Sequence, residues 1–469
     1  MRGLRAAVIA VGMTIPLAVA STPSLAYGGA TPTADAPTAT VPGTTPVGRL
    51  IRVPEELATP RAAIDAAQPG DVILLAAGTY DGGLLVPKDK HDITIRGADR
   101  TAVVFDGKGF SLNAIEIDAD RVTLENLSAH DFDGNGFYWE KVAGFTGRYL
   151  TVWNVSLYGI YATESRGGLF EHSLVSGAAD AAFYVGECQP CDTTVRNVEG
   201  RLSAIGYSGT NTGAGLQLID STWDRNGTGV LPNSFDEQAL PPPESESLIN
   251  GNTIRDSGTV PVPANTPLAG FIGLGIGVAG GNGNTISNNM ITGSARYGIA
   301  LFPTLQRSGA VYTSSANQID GNTVSGSGKA DLAVAATAAS GGDPNCFAEN
   351  TIGSSLPTGI EKVQPCGAAI GVDGDPSVAA DLAIPIPDAL DRLAALGLRP
   401  DWRTMPTPEA QSSSPEPLPA GLQSSPPGGG NLLLVVGGLV AAIAVVAISL
   451  VVRRRGKERG GPGGPASYH

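Results

Sequence analysis

Chemically specific side chains are scarce in this sequence. Cysteine, histidine, methionine and tryptophan each occur only four times among 469 residues. Biological copper sites are built from histidine, cysteine and methionine, so a copper site is not expected here. Aromatic residues make up only 6% of the chain, which argues against a helical globule with a large aromatic core.

Basic residues are also few. The chain has 30 lysines and arginines against 44 acidic residues, which gives a formal net charge of -14. An acidic surface repels the phosphate backbone of nucleic acids and other anionic polymers. A nucleic-acid partner is therefore not expected, and neutral or cation-bridged ligands are favoured. Glycine and proline, by contrast, are abundant at 63 and 35 residues, which favours many tight turns.

Both termini carry targeting signals. Basic residues precede an apolar run that ends in small residues at Ala26, so residues 1–26 are predicted to be a signal peptide. Residues 431–452 are uncharged and mostly aliphatic and are predicted to be a transmembrane helix. Residues 432–452 alone would be about 31 Å long as a helix, enough to cross a bilayer. The basic segment 453–469 is expected to stay in the cytoplasm. The sequence predicts a single-pass protein of the cell membrane with an extracellular ectodomain.

Two low-complexity segments flank the part that is predicted to fold. Residues 27–48 form a Thr/Pro linker, and residues 401–430 form a Pro/Ser-rich stalk. Neither composition can bury a core, so both are predicted to be spacers. The folded body is expected over residues 49–400, as one domain of a repeat protein.

The extracellular setting bears on the four cysteines, which are expected to form two disulfides. Cys188 and Cys191 are so close in sequence that a disulfide from either one to another cysteine would compete with a disulfide between them. Cys346 and Cys366 are the remaining pair. The alternative is a redox Cys-x-x-Cys site, but the βαβ context of a thioredoxin fold is missing. The sequence alone leaves the connectivity open.

The folded body repeats one pattern, a polar residue between aliphatic residues. Successive slots lie 19 to 37 residues apart, and a period in the low twenties with occasional insertions is the length of one coil of a β-helix. An asparagine at a turn can hydrogen-bond the backbone of its own coil and of the next, while the aliphatic residues fill the interior. The polar slots are Asn126, Asn154, Ser173, Asn197, Ser221, Asn252, Asn289, Asn322 and Asn350.

A short strand follows each slot, with its second and fourth residues apolar and its third residue outward. Examples are Gly136–Trp139, Gly159–Ala162 and Ala182–Val185. The predicted fold class is therefore all-β, a single-stranded parallel β-helix, followed by the one C-terminal transmembrane helix. Residues 54–68 are predicted to form an N-terminal helical cap, because an open end of a β-helix exposes strand edges and core.

These segments resemble the right-handed parallel β-helix group, the pectin-lyase-like superfamily, and in particular bacterial surface proteins of that group whose functions are not established. The resemblance covers residues 50–354 and implies a right-handed solenoid. It implies little about activity, because this fold carries enzymes, adhesins and structural proteins. The residues that carry the resemblance are Ala66–Leu75, Gly78–Tyr80, Tyr158–Tyr161 and Ser176–Gly186.

The active-site signatures of the family's enzymes are missing. The Arg-x-Pro-x-x-Arg run of pectate lyases has a near match only at Arg52–Leu57, which lacks the second arginine. The Asn-Thr-Asp, Gly-His-Gly and Arg-Ile-Lys runs of polygalacturonases are absent, and so is the Gly-Arg-Pro-Trp run of pectin methylesterases. The resemblance therefore implies a fold without a recognised catalytic centre.

The leading binding candidate is the outward column of Tyr138, Tyr161 and Tyr184, flanked by Glu140 and Glu164. Neighbouring coils lie about 4.8 Å apart, so the rings would form a strip roughly 10 Å long. Aromatic faces contact sugar C–H groups and carboxylates bind hydroxyls, so the predicted partner is a polysaccharide or a cell-envelope glycan. The alternative is that the stacked rings only stabilise the sheet.

Catalysis is a weaker hypothesis. Asp180, Glu187 and Asp131 are the candidates for the carboxylates of a polysaccharide lyase or glycoside hydrolase. A third hypothesis is a structural spacer or adhesin without catalysis.

No cofactor is expected apart from one calcium candidate. Asp131, Asp133 and Asn135 match the first half of a calcium-binding loop, in which alternate oxygen side chains converge around a glycine turn. Val142, however, stands where such a loop needs a bidentate glutamate. A plain Asp/Asn/Gly-rich turn is the alternative.

Overall fold

A computed structural model of the chain describes residues 48–424, apart from 237, 337–343, 368–373, 386–391, 393–394 and 396–398. The predicted signal peptide, the span 431–452 and the tail 453–469 lie outside the described residues. Within the described part, the structure contains no helix that is both long and apolar enough to cross a bilayer.

The described residues form a solenoid of stacked coils. Each strand pairs in parallel with the strand one coil further along the chain, as Val152 does with Val175 and Phe170 with Val195. Parallel pairing at an offset of one coil produces a cylinder whose walls are sheets and whose interior is the core. In the described residues, one antiparallel pair stands apart from this pattern, Thr304–Leu305 with Val311–Tyr312.

Most coils contribute two strands to a 22-stranded sheet and one to an 11-stranded sheet. The strands of the 22-stranded sheet are Arg49–Val53, Val72–Leu75, Gly78–Asp81, Thr94–Gly97, Val103–Asp106, Thr123–Phe132, Thr146–Val155, Leu169–Glu171, Leu174–Ala178, Thr194–Arg196, Glu199–Arg201, Gln217–Ile219, Thr222–Asp224, Leu248–Asn250, Thr253–Arg255, Thr285–Ser287, Met290–Thr292, Gln318–Asp320, Thr323–Ser325, Cys346–Ala348, Thr351–Ile352 and Gln423–Ser424. Those of the 11-stranded sheet are Leu84–Val86, Asn113–Ile117, Asn135–Glu140, Ile160–Thr163, Ala181–Gly186, Ile205–Thr210, Thr228–Asn233, Leu274–Ala279, Tyr297–Phe302, Ala330–Val334 and Ser355–Leu356.

The predicted alternation of inward and outward side chains is confirmed. Phe137 and Trp139 are buried in the core, whereas Tyr138 between them faces outward. The same alternation continues on the next coil, where Ile160 and Ala162 are buried on either side of Tyr161.

A polar ladder runs inside one bend of the coils, as predicted for the later slots. The side-chain oxygen of Asn289 accepts the backbone N–H of Asn252 at 3.0 Å, and that of Asn322 accepts the N–H of Asn289 at 3.0 Å. Asn350 continues the ladder by accepting the Asn322 N–H. On the other side, Ser221 donates its N–H to Asn252, and its hydroxyl accepts the Val198 N–H of the preceding coil. The ladder supplies partners for buried backbone groups at a bend where no strand pairing can.

Three earlier slots were assigned to the ladder wrongly. Asn126 and Asn197 lie one residue before the ladder position, because Asn197 aligns with Asp220 and not with Ser221. Asn154 lies at the other bend, in register with Gly177. All three asparagines have positive φ, between 51° and 56°. Asparagine tolerates this left-handed conformation well, so the residue type marks the bends as well as the ladder.

Short helical segments accompany the strands in the described ranges: the α-helices are Pro60–Ala66, Ile360–Val363 and Pro376–Leu382, and the 3₁₀ turns are Pro267–Phe271 and Trp402–Thr404. The first lies inside the predicted cap segment 54–68. Its N-cap Thr59 accepts a hydrogen bond from the Ala62 N–H at 3.2 Å, and Ala63 and Ile64 are buried. The role of this helix as an end cap stays a prediction.

Both disulfides form with the predicted pairing. Cys188 is bonded to Cys191, and Cys346 is bonded to Cys366. The first closes a tight turn directly after the strand Ala181–Gly186.

The part of the predicted stalk that the structure describes, residues 401–424, is not a free spacer. This segment, called the C-terminal strap below, runs along the 22-stranded sheet, and its end Gln423–Ser424 joins that sheet by pairing in parallel with Arg49 and Leu50. Trp402 and Met405 are buried, and the Ser414 N–H donates to Asn126 at 2.7 Å. The Arg201 guanidinium pairs with Glu409. Composition misses this docking, because a few anchors within a Pro/Ser-rich segment are enough to hold it.

Candidate functional site

The three predicted tyrosines lie side by side. Tyr161 is in register with Tyr138 on one neighbouring coil and with Tyr184 on the other. The ring centroids of Tyr138 and Tyr161 are 4.7 Å apart with an interplanar angle of 16°. Those of Tyr161 and Tyr184 are 4.9 Å apart at 65°. The coil spacing therefore produces a compact aromatic stack.

The predicted open platform of ring faces is wrong, because the rings stack on one another. Tyr158, which the sequence interpretation missed, also stacks on Tyr161, at 4.5 Å and 17°. Tyr184 is only 4% exposed. Because the coil spacing is close to the aromatic stacking distance, rings on neighbouring coils contact one another. Tyr138 and Tyr161 are both half-buried, so only the edge of the stack is exposed to solvent there.

Two insertions between coils cover the Tyr184 end of the stack. Val230 pairs with Ile276, 46 residues later, so this coil carries far more chain than its neighbours. One insertion reaches back to the sheet where the Asn265 N–H donates to the Ala179 carbonyl oxygen at 2.9 Å. The other does so where the Ala239 N–H donates to Glu187 at 2.8 Å.

Charged side chains follow the tyrosine strands, as predicted for Glu140 and Glu164. The Tyr138 hydroxyl donates to Glu140 at 2.7 Å, and Lys141 bridges Glu140 and Glu164, reaching the latter at 3.2 Å. The hydrogen bond from Lys141, then that from Tyr138, lowers the pKa of Glu140. Burial raises the pKa of Tyr161 to about 12, so its hydroxyl stays protonated at neutral pH.

Lys141 and Glu164 border a cleft with a volume of about 420 Å³ at the corner after the tyrosine strands, called the corner cleft below. Lys141, Glu164 and Glu187 occupy equivalent positions on three consecutive coils, one residue past the paired strands. Arg166 also lines the cleft, and no carboxylate of the described residues forms an ion pair with it. The complete lining is Asp120, Lys141, Val142, Ala143, Glu164, Ser165, Arg166, Glu187, Cys188, Gln189, Pro190 and Leu240.

Asp180 lies beside the stack rather than in the corner cleft. It is 8% exposed, and its Oδ1 atom is buried and has no hydrogen-bond partner among the described residues. Burial raises the pKa of Asp180 to about 7, against the opposing effect of hydrogen bonds with Tyr158 and Thr266. This carboxyl group can therefore exchange a proton near neutral pH.

The three predicted catalytic carboxylates do not come together. Asp180 contacts Tyr158, whereas Glu187 faces the corner cleft and accepts the Ala239 N–H. Asp131 follows the strand residue His130 on the 22-stranded sheet, and its carboxylate lies 2.9 Å from the His130 ring. A paired-carboxylate mechanism through these three residues has no geometric basis.

The three predicted calcium ligands also have separate partners. The Asn135 side chain donates to Asn113 at 3.0 Å and accepts the Tyr158 N–H at 3.1 Å. Asp133 is exposed and faces Arg403 of the C-terminal strap at 3.9 Å. Calcium binding stays a prediction, and the side chains assigned to it do not form one cluster.

A family model matches part of the chain. Residues 135–302 match the model described as right handed beta helix region. This match, together with the parallel stacking of the coils, supports a right-handed parallel β-helix repeat fold. No curated protein matches this β-helix significantly.

Several solved structures are similar to this β-helix. The A-module of the mannuronan C-5 epimerase AlgE4 from Azotobacter vinelandii is 19% identical, with a TM-score of 0.44 over 62% of this chain and 89% of that one. An alginate lyase from Paenibacillus sp. str. FPU-7 is 16% identical, with a TM-score of 0.41 over 66% and 96%. An exopolygalacturonase from Thermotoga maritima is 7% identical, with a TM-score of 0.39 over 61% and 81%.

Proposed function

We propose that the protein binds a carbohydrate chain in the corner cleft, at the cell surface to which its predicted leader and anchor would direct it. The observation that carries the proposal is the row of charged side chains on consecutive coils. Lys141, Glu164 and Arg166 present donors and acceptors there, and Arg166 lacks an ion-pair partner among the described residues.

The chemistry of this row suits sugar hydroxyls. Carboxylate oxygens accept hydrogen bonds from hydroxyls, and ammonium and guanidinium groups donate them. Lys141 is positioned before any ligand arrives, because it pairs with both Glu140 and Glu164. The stack behind it fixes Glu140 through the Tyr138 hydroxyl. Preorganisation of this kind lowers the entropic cost of binding.

The shape of the cleft favours a chain over a small compact ligand. Its lining comes from consecutive coils, since Ala143 bridges to Arg166 and the Ala143 N–H donates to Asp120 at 2.8 Å. Coils lie about 4.8 Å apart, so the row of Lys141, Glu164 and Glu187 extends roughly 10 Å along the solenoid axis. The net charge of -14 favours a neutral glycan over a polyanionic one.

The test begins with a glycan array, which identifies a binding glycan, followed by calorimetric titration of variants with that glycan. Arg166→Ala and Glu164→Gln are each expected to weaken affinity at least about tenfold, because one hydrogen bond to a charged group contributes roughly 1.5–3 kcal/mol. Arg307→Ala is the matched control, since Arg307 is exposed and outside the cleft. Affinity that is unchanged in both cleft variants contradicts the proposal.

One observation favours a second candidate function, a polysaccharide lyase or glycoside hydrolase. The pKa of Asp180 at about 7 suits a general acid or base, and the residue adjoins Tyr158 beside the stack. Its burial under the insertion that carries Thr266 means that this insertion must move before a substrate can reach it.

The enzyme hypothesis predicts that the purified protein releases unsaturated or reducing sugar ends from a glycan that it binds. Asp180→Asn should lower that rate by about 100-fold or more, because it removes the proton-transfer group and preserves the shape. Release that is equally fast in Asp180→Asn excludes this role for Asp180. A protein that binds no glycan and releases no sugar ends supports the structural spacer or adhesin alternative.

A further inference from the structure

A second group of functional side chains lies on the outer face of the 22-stranded sheet, away from the tyrosine stack. Asp106, His130 and Trp153 are in register on three consecutive coils. Because neighbours in register face the same side of a parallel sheet, these side chains form one outward column. Asp131 follows His130 directly in the sequence.

The backbone brings Asp131 to the same side as His130. Successive residues of a regular strand point to opposite faces, but Asp131 has a φ of 58°, outside the strand conformation. Its Oδ2 lies 2.9 Å from the Nδ1 of His130, and the Asp106 Oδ1 lies 3.9 Å from the same nitrogen. One donor atom from each of the three residues lies within 4.8 Å of the other two.

Two further observations concern the His130 ring, whose orientation is fixed, and an Asp131 carboxylate oxygen that lacks a hydrogen-bond donor among the residues that the structure describes. The Trp153 ring stacks on the His130 imidazole at 4.5 Å and 18°, which fixes the plane of the imidazole. The Oδ1 atom of Asp131 is shielded from solvent and has no hydrogen-bond partner within the described part of the chain. A shielded carboxylate oxygen without a donor is costly unless a cation or proton meets it.

The neighbouring cations are engaged elsewhere. Lys108 pairs with Asp81 at 2.5 Å, and Arg403 faces Asp133 at 3.9 Å. Over the described ranges, no lysine or arginine comes within ion-pair distance of Asp106 or Asp131. The two carboxylates therefore leave negative charge beside a histidine nitrogen.

We propose that Asp106, His130 and Asp131 bind a divalent transition-metal ion of the zinc class. One imidazole and two carboxylates suit zinc, cobalt or manganese, whereas calcium prefers oxygen ligands alone. The ion would provide the Asp131 carboxylate with a positive partner. Three protein ligands leave a coordination position open to water or to a further ligand.

The proposal predicts that the untagged protein binds one zinc ion per chain in a calorimetric titration. His130→Ala and Asp106→Asn should each weaken that binding at least tenfold, because each removes one of three ligands. His91→Ala is the matched control. His91 also lies beside an aspartate, Asp92, at 2.5 Å, but Arg121 occupies that carboxylate.

A second readout keeps the test valid if a variant folds poorly. Cobalt(II) bound at His130 should quench the fluorescence of the stacked Trp153, and Trp153→Phe should remove that quenching while zinc binding persists. Circular dichroism verifies the fold of each variant. Absence of saturable zinc binding, or zinc affinity that is unchanged in His130→Ala, overturns the proposal.

Discussion

Asn289→Ala is expected to lower the free energy of unfolding by about 3–5 kcal/mol, since it leaves several buried groups unpaired. The Asn289 side-chain oxygen accepts both the backbone N–H and the side-chain amide of Asn252, each at 3.0 Å. Its own amide donates to the Ile249 carbonyl oxygen and to Asn322, each at 2.9 Å. Alanine removes all four hydrogen bonds and cannot admit solvent, because the site is buried.

Urea denaturation followed by circular dichroism measures this loss. Met290→Ala is the control, because Met290 is the next residue and is 55% exposed, so its change should stay within about 0.5 kcal/mol. Long repeat arrays can unfold in parts, so amide hydrogen exchange on the neighbouring coils is needed as a second measurement. If Asn289→Ala lowers the free energy of unfolding as little as Met290→Ala does, the stabilising role assigned to the ladder is wrong.

The free energy of unfolding is expected to fall between pH 5 and pH 8, because a buried carboxyl group, that of Glu244, ionises in this range. This carboxyl is fully buried and receives hydrogen bonds from Ser247 at 2.8 Å and Asn284 at 2.9 Å. Burial raises its pKa from 4.5 to about 7. The unfolded chain therefore releases this proton at lower pH than the folded protein does. The stabilisation is complete below about pH 4.5 and is lost as the pH rises through 7.

The difference in pKa corresponds to a change on the order of 3 kcal/mol across this window. Glu244→Gln keeps the shape and cannot ionise, so its stability should fall less than that of wild type over this window. The buried Asp180, whose pKa is also raised to about 7, titrates in both proteins and cancels in the comparison. Comparing the two proteins at each pH cancels the opposite contributions of carboxylates with lowered pKa, such as Asp92 and Glu409. Parallel pH profiles for the two proteins would show that Glu244 does not titrate in this range.

Much of the fold could be predicted because its rules are local. Tyr138, Tyr161 and Tyr184 recur at intervals of one coil, so their register follows from spacing alone. The interior follows from alternation within short strands, as Phe137 and Trp139 show. Across the coils of Tyr138, Tyr161 and Tyr184, parallel pairing connects residues at one constant sequence interval, so each of these coils predicts the next.

The parts that sequence reasoning missed depend on long-range packing. The insertion containing Thr266 covers Asp180, and nothing in its sequence indicates which coil it would meet. The C-terminal strap docks through Ser414 on Asn126, 288 residues earlier. Tyr158 lies just before a strand, and only coordinates reveal that its ring joins the stack.

The corner cleft was predicted only in part. Glu140 and Glu164 were found because they follow Tyr138 and Tyr161 by two and three residues. Arg166 was missed, because a lone arginine in a turn has no signal apart from its alignment with Ala143 on the neighbouring coil. The prediction that the ring faces are open to a ligand was wrong, because rings on neighbouring coils lie at stacking distance and cover one another's faces.

A crystal structure of the protein with a bound oligosaccharide from the array tests the central claim most directly. The account predicts sugar hydroxyls within hydrogen-bonding distance of Glu164 and Arg166, with the chain running along the solenoid axis past the edge of Tyr138 and Tyr161. An oligosaccharide bound elsewhere, for instance in the cleft beside Tyr149 and the C-terminal strap, with the corner cleft free of sugar, would contradict it.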